Sequence, residues 1–333
     1  MKVLWIKDAK TGHRNKALGL LRALHKIIDF EVVEYDLRWR WSGARQLLSR
    51  LGALGLKIPV RWFVRNIPDL NGVELILSAG GATQWPNAAL AHQQSIKNVF
   101  LGSPRKMLPS SFSLIALHDP PSLERPYFQF EIIPSLVTFD SAEEAARDAG
   151  LPLSKDWAIL IGGDGEGVKW SESDYLSLMS SMILQAQEAA VSLWVASSRR
   201  TPYQIEDKIR SMADESEVLA GACWYHKREP DAVPLQAMMG ACSHLCVTAD
   251  SMSMTHEAVS SGRPVLVIFP ANGGGSARLL GNLNKLAVSG NLICQTLPEL
   301  FIEEAEPSGG WAMIRHDPTA SLADEVVKLI KET

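Results

Sequence analysis

Cysteine is scarce in this chain, and none of it is paired at metal-ligand spacing. The four cysteines are Cys223, Cys242, Cys246 and Cys294, with no C-x-x-C among them. A disulfide framework or a zinc ribbon is therefore not expected, and a reducing cytoplasm is the default. Cys242, His244 and Cys246 alternate along "CSHLCVT" but have no second ligand pair, so we read them as part of a strand. Long apolar runs are missing too. Nothing approaches the ~18 uninterrupted apolar residues that span a bilayer. The opening "MKVLWIKDAKTGH" has too short an apolar run for a signal peptide, with charge following at once. Excess positive charge is also absent. A net charge of −4 argues against general nucleic-acid binding.

What is present suits a soluble protein of more than one domain. The chain has 333 residues, 46% apolar and 21% charged. Short apolar runs alternate with helical patterns. "VLWI" (3–6) precedes a polar loop and a helix over 16–28, where Leu18, Leu21, Leu24 and Ile28 fall at helical spacing. "FEVVEY" (30–35), "VELILSAGG" (73–81), "NVFLGS" and "FSLIALH" read as strands, with "NAALAHQQSI" as a helix. The pattern restarts at "WAILIGGDGEG" (157–167) and continues with a helix over 171–190, the strand "VSLWVASS" and the helix "PYQIEDKIRSMA". The strand "LCVT", the helix "MSMTHEAVSS" and the strand "PVLVIF" follow. Such alternation implies parallel sheets with crossover helices, and two series imply two doubly wound domains. We set the domains at 1–145 and 146–317. Residues 318–333 read as a closing helix with Ser321 as N-cap.

In doubly wound sheets, ligands sit beyond the carboxyl ends of the strands, where helix N-termini attract phosphate. Three such turns stand out in the second series. "IGGDGEG" offers Gly162 and Gly163, which let backbone approach a ligand closely, although a plain tight turn would look the same. "ASSRRTP" carries Ser197, Arg199, Arg200 and Thr201, and paired arginines suit a diphosphate. "CVTADSMSMTHEAVSSGRPVLVI" (246–268) supplies Ser251, Met252 and Ser253 at a helix start, with Gly262 ending the helix. Its Glu257 is a candidate for accepting from a ribose diol; a solvent-facing carboxylate is the plainer alternative. Together the three turns point to a nucleotide-diphosphate site. A dinucleotide-binding oxidoreductase wants G-x-G-x-x-G and a later acid, which "GGDGEG" and "SSRR" do not provide; an NADP-dependent reading survives only through those arginines.

In the first series, "KDAKTGHRNKALGL" (7–20) brings Asp8, Lys10, Gly12, His13 and Asn15 together. Asp8 or His13 is a candidate base for an acceptor hydroxyl. "SAGGATQW", with Gly80 and Gly81, is a second glycine turn that would help hold the acceptor. Both turns are expected to face a cleft between the domains. Residues 37–65 carry seven basic side chains and no acid. Removing that +7 from the total of −4 leaves −11 on the rest. Leu47, Leu48, Leu51 and Leu54 form one helical stripe. Arg38, Trp39, Arg40, Trp41, Arg45, Arg50, Arg61 and Trp62 then suit an anionic membrane surface. An ordinary helix packing its leucines on the core is the competing reading.

"KTGHRNKALGL", "LIGGDGEGVKW", "SSRRTP" and "VTADSMSMTHEAVSSGRPV" resemble the mitochondrial-fission, elongated-mitochondria (Elm-type) family of plants and many bacteria. The resemblance implies a GT-B-like fold, two Rossmann-like domains with a cleft between them. Bacterial members are usually regarded as candidate glycosyltransferases, while the plant member is associated with recruiting fission machinery. GT-B enzymes hold the nucleotide sugar in the C-terminal domain, need no bound metal, and often end in a helix that returns to the first domain. No cofactor is expected. The family's "SEDS"-like turn appears here as Ala249-Asp250-Ser251, and its early Asn-Gln pair as Asn15-Lys16. "ANGGGSARLLGN" stands where the family commonly carries charge, which leaves acceptor and sugar open. The expected activity is transfer from a nucleotide-sugar donor to an envelope glycan or lipid-linked acceptor at the inner membrane face. A non-catalytic membrane adaptor is the alternative.

Overall fold

The computed structural model describes residues 1–105, 107–227, 232–300, 302 and 305–332, with the side chains of 49–54 outside that description. The chain divides into two compact units, residues 1–136 with 318–333, and residues 137–317.

The first unit is built on a six-stranded parallel sheet. Its strands are β1 (Lys2–Lys7), β2 (Glu31–Asp36), β3 (Val73–Ala79), β4 (Lys97–Leu101), β5 (Leu114–Leu117) and β6 (Tyr127–Gln129), in the order β2-β1-β3-β4-β5-β6. Parallel strands are covered on both faces, so central ones read as unbroken apolar runs. Leu75, Ile76 and Leu77 of β3 are fully buried. β2, at the edge, mixes Glu31 and Glu34 with its valines, and Lys7 of β1 pairs with Glu34 at 2.6 Å. The helices are α1 (Thr11–His25), α2 (Ala44–Leu51) and α3 (Gln84–Gln94), later joined by α10 (Ala320–Lys331).

Helix α1 starts five residues before the expected position. Lys10, in extended conformation, is its N-cap and makes no side-chain cap bond. Gly12, His13 and Asn15 therefore sit on the first turn of a helix, not in a loop. Gly19 lets α1 approach Ser135, whose backbone nitrogen lies 2.4 Å from where a Cβ would stand. Helix α10 buries Leu322, Ala323, Val326 and Val327, and Arg125 donates to Glu325 at 2.7 Å in the same unit. Its N-cap is Thr319, and the expected cap Ser321 lies inside the helix.

The second unit repeats the architecture. Its strands are β7 (Trp157–Leu160), β8 (Leu193–Ala196), β9 (Leu219–Cys223), β10 (His244–Thr248), β11 (Val265–Phe269) and β12 (Ile293–Thr296). They run parallel in the order β12-β11-β10-β7-β8-β9. The helices are α4 (Phe139–Asp148), α5 (Glu172–Glu188), α6 (Tyr203–Asp214), α7 (Leu235–Ala241), α8 (Met252–Ser260) and α9 (Ala277–Val288). Helix α4 moves the boundary from 145/146 to 136/137. It opens on a capping box between Thr138 and Ser141 and presses against α7, where a Cβ on Gly240 would meet the Ala142 carbonyl oxygen at 1.9 Å. Cys242 and Cys246 are fully buried; burial pushes the Cys246 thiol up to about 12.

Candidate functional site

In each sheet the strand order reverses once. In the second unit the chain runs β7-β8-β9 outward, then returns to place β10 on the other side of β7. That reversal leaves a crevice at the carboxyl ends of β7 and β10, where ligands of doubly wound sheets bind. Four strand ends gather there: Gly162 after β7, Arg199 and Arg200 after β8, Asp250 and Ser251 after β10, and a Gly273–Gly275 loop after β11.

At this crevice the N-terminus of α8 is open. Ser251 is the N-cap, its hydroxyl accepting from the Met254 N–H at 3.4 Å. Among the described residues, the N–H groups of Met252 and Ser253 find no acceptor, and Ser251 and Ser253 are half-buried. Those unpaired donors and the helix dipole favour an anion. The Met252 side chain is buried, so that residue offers its backbone alone. Glu257 is half-buried in the second turn of α8. Arg199 is exposed, with no ion-pair partner among the described residues.

Arg200 behaves differently. Its Nη2 lies 2.8 Å from Oδ2 of Asp250, a carboxylate with no solvent exposure, and its Nη1 donates to the Asp250 carbonyl at 3.1 Å. Asp250 Oδ1 accepts from the Thr248 hydroxyl at 2.6 Å, and that hydroxyl accepts from the Gly162 N–H at 2.7 Å. Burial raises the Asp250 carboxyl above the ordinary aspartate value, against the field of Arg200 and the bonds from Thr248 and Gly163. This network explains the glycines. A Cβ on Gly162 would stand 2.2 Å from Asp250 Oδ1, and one on Gly163 would stand 2.1 Å from the Arg200 carbonyl oxygen. Their smallness serves the protein's own packing, whereas the sequence suggested ligand approach.

Two further expectations need correction. The Thr201 hydroxyl is buried and donates to the carbonyls of Ile161 at 2.9 Å and Gly162 at 2.8 Å, so it pins the loop and is not available to a ligand. Ser197 donates to Glu206 on α6 and accepts from the Tyr225 N–H at 2.7 Å. Its hydroxyl is committed to holding residues 225–227 on the buried Glu206 carboxylate.

In the first unit the reversal falls between β1 and β3. Asp8 follows β1, and Gly80 follows β3. His13 Nδ1 lies 2.6 Å from Asp8 Oδ2, while Asp8 Oδ1 accepts from the Lys10 N–H at 3.0 Å. The Asp8 side chain is 8% exposed and that of His13 27%. Nε2 of His13 makes no hydrogen bond among the described residues. Gly80 has φ +86°, and its absent Cβ leaves room for the imidazole, which would otherwise be 2.0 Å away. Gly12 and Asn15 are half-buried and Lys10 exposed on the same turn. Gly81 sits beneath the guanidinium of Arg105.

The basic segment splits into an inward and an outward set. Trp39 packs beside Trp85, with ring centroids 6.4 Å apart, and Phe63 meets Trp85 edge-on at 5.5 Å. Leu48 is fully buried. Arg40 Nε donates to the carbonyls of Arg61 at 2.7 Å and Val64 at 3.2 Å, closing the segment on itself. Trp39 is thus half-buried against Trp85, while Arg40 stays exposed as it closes the segment. Trp41 (45%) and Trp62 (61%) are exposed, as are Arg38, Arg45 and Arg61. The side chains of Arg50, Leu51 and Leu54 lie outside the described residues. No described helix is long and apolar enough to cross a membrane.

The family model for mitochondrial fission ELM1 matches residues 11–330. The chain belongs to the mitochondrial fission ELM1 family. An uncharacterized protein of Rickettsia prowazekii, RP120, is 29% identical over 151 residues, covering 43% of this chain and 41% of that protein. The chain therefore matches about two fifths of that relative's length. Among solved structures, UDP-GlcNAc 2-epimerase from Methanocaldococcus jannaschii superposes with a TM-score of 0.61 at 10% identity, covering all of both chains. The same epimerase with UDP-GlcNAc and UDP gives 0.55, and Acinetobacter baumannii MurG gives 0.49 at 11% identity over 100% of this chain and 99% of that one. The fold of this ELM1 family member is GT-B-like: two Rossmann-like doubly wound units.

Two parts of the candidate site escaped sequence reasoning. Asp250 is the buried anchor of Arg200. The "ANGGGSARLLGN" loop looked like a departure and is part of the crevice. Gly274 and Gly275 adopt φ +112° and +117°, Gly275 N donates to the Gly167 carbonyl at 3.1 Å, and Ser276 caps α9. Three consecutive glycines in the loop between β11 and α9 were the available signal. Among the described residues no cluster of His, Cys, Asp and Glu could hold a metal ion.

Proposed function

We propose that this protein is a glycosyltransferase that takes a sugar from a nucleotide-diphosphate donor. The observation that carries the reading is the open N-terminus of α8 at the reversal point of the second sheet, with Arg199 exposed after β8 of the same sheet. The N–H groups of Met252 and Ser253 and the Arg199 guanidinium bind the diphosphate, and Glu257 accepts from the ribose. Arg200 offers its solvent-facing edge, about a third of its side chain, while Asp250 fixes its orientation. Charge developing on the departing diphosphate is met by these preorganised donors. The resemblance to a UDP-sugar epimerase of the same fold supports a nucleotide-diphosphate sugar as the ligand class.

His13 is the base. Both Asp8 oxygens are engaged, one by His13 and one by the Lys10 N–H. With Nδ1–H directed at Asp8, the imidazole keeps its lone pair on Nε2. Asp8 positions it; Gly80, Gly81 and Asn15 form the floor of the acceptor side. The acceptor hydroxyl gives its proton to Nε2 of His13. The exposed Trp41, Trp62, Arg38 and Arg61 support peripheral contact with an anionic membrane at its inner face, suited to an envelope glycan or lipid-linked acceptor.

Thermal-shift measurements with UDP, GDP, ADP and their sugars test this. One nucleotide family should raise the melting temperature in a concentration-dependent way, and Arg199→Ala should weaken that response about tenfold or more. His13→Ala should keep the response and lose transfer by at least about a hundredfold. No stabilisation by any nucleotide would instead favour a membrane adaptor on the same fold.

A further inference from the structure

The first unit contains a cavity that the nucleotide reading does not use. It has a volume of about 360 Å³ and lies under the start of α3, with Trp39, Arg45, Gln84, Trp85 and Arg105 among its lining residues. Gln84 and Trp85 are 8% and 4% exposed. Yet Gln84 Oε1 and Trp85 Nε1 are both buried without a hydrogen-bond partner. An unsatisfied buried donor or acceptor costs stability, and here one of each lines the same space.

Other features of the cavity point the same way. Arg45 and Arg105 are exposed at its mouth, and neither has an ion-pair or hydrogen-bond partner among the described residues. Arg105 holds φ +51°, a conformation that costs a non-glycine residue energy. Helix α3 begins with an uncommitted end. Its N-cap Thr83 turns its hydroxyl back to the carbonyls of Ala79 and Gly80, at 3.1 and 2.9 Å, and makes no cap bond. The N–H groups of Gln84 and Trp85 find no acceptor among the described residues.

Two guanidinium forks, two free helix N–H groups and an indole N–H converge as donors. Such a set matches the several oxygens of a phosphate better than a single carboxylate. Gln84 Oε1 is an acceptor and requires a hydroxyl donor. The rings of Trp39 and Trp85, tilted 35° to each other, supply an apolar wall. We infer that this cavity binds a phosphorylated sugar: the phosphate between Arg45, Arg105 and the N-terminus of α3, a hydroxyl on Gln84 Oε1, and the ring against the tryptophans. The inference rests on the transferase reading in one respect, that such a ligand is the acceptor. Free sugar phosphate and the headgroup of a sugar-phosphate lipid share this chemistry.

Calorimetric titration of the full chain with glucose 1-phosphate and with inorganic phosphate tests it, alongside flotation with phosphatidylcholine vesicles with and without phosphatidic acid. Glucose 1-phosphate should bind, and more tightly than inorganic phosphate. Arg45→Glu with Arg105→Glu should weaken it at least tenfold; both side chains are exposed, so the fold should survive. Gln84→Leu should weaken glucose 1-phosphate and leave inorganic phosphate unchanged, which separates recognition from general charge. Vesicle binding that needs phosphatidic acid and both arginines, without binding of the free sugar phosphate, identifies a lipid headgroup as the source. No phosphate-dependent binding of either kind, or equal affinity in the double variant, overturns the inference. Nucleotide stabilisation is read on the same samples. If nucleotides bind and phosphates do not, this cavity assignment fails alone; if phosphates bind and nucleotides do not, the transferase reading fails and the cavity assignment remains.

Discussion

At the scale of the residue, the Arg200–Asp250 pair governs the crevice of the second unit. Removing one member of a buried ion pair leaves the other uncompensated. Arg200→Ala should therefore lower stability by about 2–3 kcal/mol, below the usual range because a third of the Arg200 side chain meets solvent. Adding Asp250→Asn removes the orphaned charge and should restore at least about 1 kcal/mol of it. Urea midpoints of the two variants measure both effects; additive losses would mean that the two side chains do not act as a pair. This pairing marks the limit of sequence reading at the site. Glycines, hydroxyls and arginines at strand ends announced a crevice, because each residue type has a use at a carboxyl strand end. Which of them turn inward was hidden, because the partners lie outside the local motif, from 9 to 50 residues away. Arg200 meets Asp250, Ser197 meets Glu206 and Tyr225, and Thr201 meets Ile161. The Asp8–His13 pair was nearer to legible, its members being five residues apart, but the start of α1 was needed to bring them together.

Among elements, α5 shows how a cap ties a helix to a neighbouring strand end. Asp174 accepts from the Ser171 N–H at 2.9 Å, completing a capping box, and from the Ala271 N–H at 3.1 Å beyond β11. Burial pushes the Asp174 carboxyl upward, but the bonds from Ser171 and Ala271 outweigh it and hold the carboxyl below its usual 3.8. A lowered folded-state value adds stability above the unfolded value, and that stability is lost as pH falls through the folded one. Asp174→Asn should cost about 1–2 kcal/mol near neutrality. The gap to the parent should shrink as pH drops from about 5 to about 2. Denaturation midpoints across that range check it; a constant gap would assign the loss to packing instead.

The strands legible in the sequence were β1 to β5, β7, β8, β10 and β11, the edge strand β2 among them. β3, β7, β8, β10 and β11 are buried on both faces and show unbroken apolar runs. β6, β9 and β12 are short edge strands, such as "LAGAC" and "ICQT", that need little apolar surface and left no pattern. Helices α4, α7 and α9 were missed for different reasons. Alanine dominates the buried face of α4, and α7 is only 7 residues long, so neither repeats a pattern over several turns; α9 carries Leu279, Leu283 and Leu286 at helical spacing, a pattern that was there to be read.

For the molecule as a whole, α10 completes a unit whose other residues end at 136. Deleting residues 318–333 would strip cover from α1 and leave Arg125 without Glu325. Hydrogen exchange should then show lost protection across residues 1–136, while amides of β10 and β11 stay protected. Unchanged protection in the first unit would mean that α10 is dispensable to it.

The same arrangement bears on how the protein is made. Residues 137–317 emerge from the ribosome as a continuous stretch and hold every strand of their own sheet. The first unit also has its whole sheet by residue 129 but must wait for the stretch from 318 onward for α10, so the face that α10 covers stays open for most of translation. The half made first is the half finished last, and a nascent chain halted before 318 would need a chaperone at its amino-terminal sheet.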